Sequence, residues 1–197
     1  MTGSRRYSDD LPTPQPVTAE ELSGLNLPNK RAELVRGVLS IREPAGYQHG
    51  DVAMRLAAAI FAHVDAHRLG RVFAAETGFR LARNPDTVRA PDVAFISAAR
   101  LPVPPPRGFA ELAPDLAVEV LSPDDRPGEV LGKVADWLNA GSRLVWVVDP
   151  IHASARIYRA DGTEAILGEN DSLRGEDVLP GFECEIAWVF GRKGQSH

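Results

Sequence analysis

The stretch RLVWVVDP, residues 143–150, is an almost unbroken apolar run, the mark of a strand buried on both faces. Just before it, DRPGEVLGKVADWLNAG (125–141) places Val130, Val134, Trp137 and Leu138 at helical spacing and ends on Gly141. Before that helix, DLAVEVLS (115–122) reads as another strand. Strand, helix, strand in so short a segment is a βαβ unit, because a parallel pair needs a crossover that a hairpin cannot provide. This one segment commits the chain to a mixed sheet with helices packed on it. The fold class is α/β, or α+β on a stricter definition.

The remaining segments fit around that unit. VTAEELSGL opens with Thr18 as N-cap and Glu21 at the capping-box position before a short helix. AELVRGVLSIRE (32–43) alternates about Arg36-Gly37 and predicts a hairpin. A long helix over 48–68 follows from Val52, Leu56, Ala59, Ile60 and Val64, with Gly70 as its stop, and would cover the other face of the sheet. RVFAAETGFRLA (71–82) reads as a strand pair or one bent strand, and VRAPDVAFIS (88–97) as a strand entered through Pro91. The proline-rich segment 99–114 is an exposed loop. ARIYRADGTEAIL (155–167) is a hairpin turning at Asp161-Gly162, and the last short strands fall around 176–190. The organisation expected is a polar lead over 1–16 without order, one domain over 17–190, and a flexible tail over 191–197.

Composition excludes several classes. At 44% hydrophobic and 25% charged the chain is an ordinary globular protein. No apolar run is long enough to span a membrane, and the N-terminal residues carry no apolar signal segment. The single cysteine, Cys184, cannot form an internal disulfide, which fits a cytoplasmic location; no Cys/His cluster suggests zinc. The net charge of −5 leaves no general basic footprint.

The chemistry lies in acids set among apolar residues. A lone carboxylate buried in a strand costs several kcal/mol unless it is paired or bound to a metal, yet Glu119 sits inside DLAVEVLS and Asp92 inside RAPDVAFIS. If the two strands are neighbours, the carboxylates converge and stay ionised only with a cation between them. Hard oxygen ligands suit Mg²⁺ or Mn²⁺, an ion that can activate water and neutralise a phosphodiester transition state. Lys133, on the following helix, can aim its ammonium at the same point, and Glu33 and His49 can complete the pocket. Ser122, between strand and helix, lacks the glycine-flanked turn of a nucleophile elbow, so Ser/His/Asp chemistry is set aside. Trp137 and Trp146 read as core, Asp124 and Asp125 as helix-start acids, and Glu76 as a strand-face acid.

RAPDVAFIS, PDLAVEVLSPDD, the helix GKVADWLNAG and LVWVVDP, together with AELVRGVLSI and YQHGDVAMRL, resemble in order and spacing the Uma-two family of restriction-endonuclease-like proteins, within the PD-(D/E)XK nuclease superfamily. The resemblance covers roughly residues 17–190. It implies a mixed central sheet flanked by helices, DNA as substrate, Asp92 and Glu119 as the acids holding Mg²⁺ or Mn²⁺, and Glu33 as an acid from the N-terminal part. The superfamily pattern places a lysine two residues after the second acid, where this chain has Leu121. In Uma-two proteins the next helix usually carries it, and Lys133 matches that position. The expectation is a metal-dependent endonuclease with catalytic residues Asp92, Glu119, Lys133, Glu33 and His49, and a possible homodimer. The alternatives are an inactive nuclease-fold protein serving as a nucleic-acid or protein-binding module, and a dimeric scaffold.

Overall fold

The two residues Arg36 and Gly37 both have positive φ, 49° and 78°, the backbone a two-residue hairpin turn demands. They join β1 (Arg31–Val35) to β2 (Val38–Arg42) in the register expected for a tight hairpin. A Cβ at position 37 would lie 2.3 Å from Cβ of Pro16, so a close approach also requires glycine there. The computed structural model describes residues 15–28 and 30–192. The lead over 1–16, apart from Gln15 and Pro16, and the tail beyond Arg192 lie outside the described residues.

The elements follow the sequence closely. Helix α1 (Ala19–Gly24) carries the Thr18–Glu21 capping box, and α2 is Tyr47–His67. Strands β3 (Gly70–Ala74), β4 (Phe79–Ala82), β5 (Thr87–Arg89), β6 (Val93–Ser97) and β7 (Leu116–Val120) precede α3 (Pro127–Asn139). Then come β8 (Leu144–Asp149), β9 (Ser154–Arg159), β10 (Glu164–Leu167), β11 (Ser172–Arg174), β12 (Glu183–Glu185) and the short α4 (Ile186–Val189). The long helix ends on Arg68 in the left-handed conformation, not on Gly70. Gly70 instead begins β3, where a Cβ would sit 2.0 Å from the carbonyl oxygen of Ile96.

The βαβ expectation holds: β7 and β8 are parallel neighbours joined through α3. They form the centre of a six-stranded mixed sheet in the order β10-β9-β8-β7-β6-β3. Helix α2 packs on one face through Val52, Leu56, Ile60 and Val64, and α3 on the other through Val134 and Trp137. Each such side chain, fully withdrawn from water, contributes about 1.5–3 kcal/mol. The chain's second sheet, β2-β1-β5-β4, changes two readings. Segment 71–82 is two strands that do not pair, β3 belonging to one sheet and β4 to the other. Segment 88–97 is likewise broken, because the chain leaves β5 and enters β6 across Ala90-Pro91-Asp92. A sequence window shows apolar alternation, but the sheet a strand joins depends on partners far away in the chain.

Candidate active site

Strands β6 and β7 run antiparallel with Val93 opposite Val118, and the N–H of Asp92 donates to the carbonyl of Val118 at 3.0 Å. One more step of that register sets Asp92 opposite Glu119. Glu119 faces α3, on the same side as Ala117, and the helix covers it: the residue is 5% exposed. The strand is buried along its whole length, so the alternation of Leu116, Val118 and Val120 against Ala117 and Glu119 separates two cores, not core from solvent.

Each acid is held by donors from different elements. Asp92 Oδ1 accepts from Arg31 Nη2 at 2.7 Å and from His49 Nε2 at 2.9 Å, and its Oδ2 accepts from the N–H of Val120 at 2.8 Å. Glu119 Oε2 accepts from Lys133 Nζ at 3.0 Å and Oε1 from the Trp137 indole at 2.8 Å. Glu33, on β1, accepts from Arg89 Nη1 at 2.9 Å and from the N–H of Ala90 at 3.2 Å, with Lys133 Nζ 3.7 Å away. Arg89 also bonds Asp136 of α3. All five residues singled out in the sequence, Asp92, Glu119, Lys133, Glu33 and His49, line one cavity of about 360 Å³.

Electrostatics follow from this crowding. Burial raises the proton affinity of Asp92, but the bonds from His49, the charge of Arg31 and the Val120 N–H outweigh it, so its pKa lies below the ordinary value. Burial pushes Glu119 up; Lys133 opposes this, while Glu33 and Asp92 add to it. Lys133 loses hydration on burial, yet Glu119 and Glu33 hold its pKa above the ordinary lysine value. The cavity as a whole is lined by more carboxylates than cations, which leaves surplus negative charge in it.

A divalent ion fits that surplus. Among the described residues no set of three or more His, Cys, Asp or Glu side chains converges as a metal cluster; of the carboxylates that line the cavity, Asp92 and Glu119 are the two that the β6–β7 register sets side by side. Mg²⁺ is commonly held by one or two carboxylates, with water and substrate phosphate supplying the rest. Asp92 Oδ2 and both oxygens of Glu119 each accept one bond, and a carboxylate oxygen has a further lone pair to offer.

The structure adds residues that the sequence reading missed or assigned elsewhere. Trp137 is core, as expected, but it also fixes Glu119. Lys133, Asp136 and Trp137 share one face of α3, an i, i+3, i+4 spacing visible in the sequence. Arg31 shares a strand face with Glu33 two residues on, and Glu76 lines the same cavity and pairs with Arg31 at 3.2 Å. Trp137→Phe keeps an aromatic ring but removes the N–H and half of the buried indole; we expect the stability to unfolding by urea to fall by about 2–4 kcal/mol, from the lost bond and the cavity together.

Ser122 also enters. Its hydroxyl lies 3.3 Å from His49 Nδ1, while Nε2 of the same ring bonds Asp92. Because a carboxylate only accepts, Nε2 of His49 donates to Asp92, and Nδ1 faces the Ser122 hydroxyl. The connectivity is that of a Ser/His/Asp triad, but among the described residues the backbone N–H groups next to Ser122 are already committed and form no oxyanion hole. The N–H of Leu121 donates to Val148 O, that of Ser122 to Asp125 Oδ2, and Pro123 has none.

The comparisons agree with this architecture. A family model described as "Uma2: Putative restriction endonuclease" matches residues 19–187. The crystal structure of a "putative nuclease belonging to DUF820" from Anabaena variabilis superposes with a TM-score of 0.78 at 21% identity, covering 90% of this chain and 99% of the other. At that identity the likeness is one of fold. No curated protein gives a significant match.

Proposed function

The chain belongs to the Uma2 restriction-endonuclease-like family, and from that premise we propose that it is a divalent-metal-dependent nuclease hydrolysing phosphodiester bonds in DNA. One observation carries this reading: Asp92 and Glu119 stand opposite each other on adjacent strands, with Lys133 on Glu119, in a single cavity. A Mg²⁺ or Mn²⁺ held by Asp92 and Glu119 supplies an acidified water and charge neutralisation when bound. Trp137 and Lys133 keep the Glu119 carboxylate oriented, and the N–H of Val120 and His49 do the same for Asp92. The Lys133 ammonium stabilises negative charge developing on the phosphate. Glu33, tied to Arg89 and the Ala90 N–H, holds the lysine from its other side. His49, with Nε2 on Asp92 and Nδ1 toward Ser122, ties Asp92 to the segment that follows β7.

Purified protein should nick or cut DNA with Mg²⁺ or Mn²⁺ and lose that activity on addition of a chelator. Absence of cleavage together with absence of calorimetric divalent-ion binding would sink the reading. The chain would then be better described as a nuclease-fold binding module, which the net charge of −5 favours.

A further inference from the structure

Every cation around the cleft lies between two carboxylates. Lys133 sits between Glu119 and Glu33, Arg89 between Glu33 and Asp136, Arg42 between Asp125 and Glu129, and Arg31 between Asp92 and Glu76. A polyanionic substrate therefore meets no unpaired positive charge among these four, and one that turned away from its carboxylates would add a direct contact to the phosphate.

Two are poorly placed to leave, and a third, Arg42, has no bond to the paired acids Asp92 and Glu119. Arg89 is buried, with Nε, Nη1 and Nη2 all bonded to carboxylates. Lys133 is the counter-ion of Glu119 under α3. Arg42 spends both terminal nitrogens on Asp125 and Glu129. Arg31 differs. It stands on β1 in the cavity wall, with Nη2 on Asp92 and Nε toward Glu76, while Nη1 has no partner among the described residues. Glu76 is half exposed, as is Glu129 beside Arg42, so water screens both arms; what sets Arg31 apart is its bond to Asp92, the acid that a divalent cation would engage. A guanidinium presents a planar fork that matches phosphate oxygens bidentately.

We propose that Arg31 is the phosphate-binding residue of the cleft, stored on Asp92 and Glu76 in the free protein and turned to the substrate phosphate once Asp92 is engaged by a divalent cation. The inference rests on the nuclease reading. It makes a double claim: Arg31 competes with the metal for Asp92 but favours the nucleic acid, so the two affinities must move in opposite directions when it is removed.

The test is Mn²⁺ titration by calorimetry, and binding of a short labelled DNA duplex in Ca²⁺ by fluorescence anisotropy. Both are applied to the wild type, Arg31→Ala and Arg31→Lys, with thermal melts of each. Arg31→Ala is expected to bind Mn²⁺ about fivefold more tightly, because a competing charge is gone, and the duplex about tenfold or more weakly. Arg31→Lys keeps the charge but loses the fork; it should bind Mn²⁺ like the wild type and the duplex more weakly. If Arg31→Ala loses metal and duplex affinity together, Arg31 merely braces Asp92 and the proposal fails. If either variant binds duplex like the wild type, the proposal fails while the nuclease reading stands on wild-type cleavage. Should Arg31→Ala not melt cooperatively, the lysine variant alone decides. A wild type that neither binds nor cuts DNA overturns both.

Discussion

Glu119→Ala is expected to abolish divalent-dependent cleavage, a loss of about a thousandfold or more, because on the proposed mechanism it removes one of the two acids that would hold the metal and the group that aims Lys133. Alanine alone would be ambiguous, since it also opens a cavity beside Trp137 and strips Lys133 of its 3.0 Å partner. Glu119→Gln separates the effects. The amide oxygen can still accept from the Trp137 indole, and a neutral group suits a site where burial already raises the carboxyl's proton affinity. The glutamine variant should keep most of the melting temperature yet lose calorimetric Mn²⁺ binding and cleavage. Wild-type cleavage by either variant would remove Glu119 from the site.

Lys133→Met should be the most destabilising change in the cleft. Removing one partner of a buried ion pair costs about 3–5 kcal/mol, because the other charge stays buried and uncompensated. Here Glu119 and Glu33 would share the cavity with no ammonium between them. The pH dependence identifies the cause. An acid whose folded-state pKa lies above its unfolded value of 4.5 binds its proton more tightly when folded. It is protonated in both states well below that value, and the destabilisation appears as pH rises through the window above it. The stability difference between wild type and Lys133→Met, from urea unfolding, should therefore be largest near neutral pH and shrink below about pH 4.5. Taking differences at each pH cancels the acid loss from groups such as Asp92, whose pKa is depressed and whose contribution disappears as pH falls. A difference that does not change with pH would mean lost packing, not lost charge. Lys133→Arg should recover stability in part, since it restores the charge with a different reach.

Much of this was legible in the sequence. Val145 to Val148 form a continuous apolar run because β8 is covered on both faces, and that burial needs no knowledge of which residues cover it. The Arg36-Gly37 turn and the Thr18–Glu21 cap are local, set by backbone conformation and one side-chain bond. Glu119 is conspicuous for a similar reason: an ionisable group inside a buried strand is too costly to be casual.

What could not be read locally is who meets whom. That 71–82 and 88–97 each divide between two sheets depends on β5 pairing with β1, about a third of the domain away in sequence. The partners of Glu119 and Asp92 are of the same kind. Trp137 reads as core because its ring is apolar, and only the crossing of α3 over β7 brings its N–H to Glu119. Arg31 reads as a hairpin residue until the second sheet is set against the end of β6, where it reaches Asp92. The sequence by itself determined most of the elements, the parallel β7–β8 crossover and the two costly acids, because burial and turn chemistry act over a few residues. Only the tertiary structure decided which cations neutralise those acids, because an ion pair depends on distance in space, and the chain brings β1, α2, β6, β7 and α3 to one point only when folded.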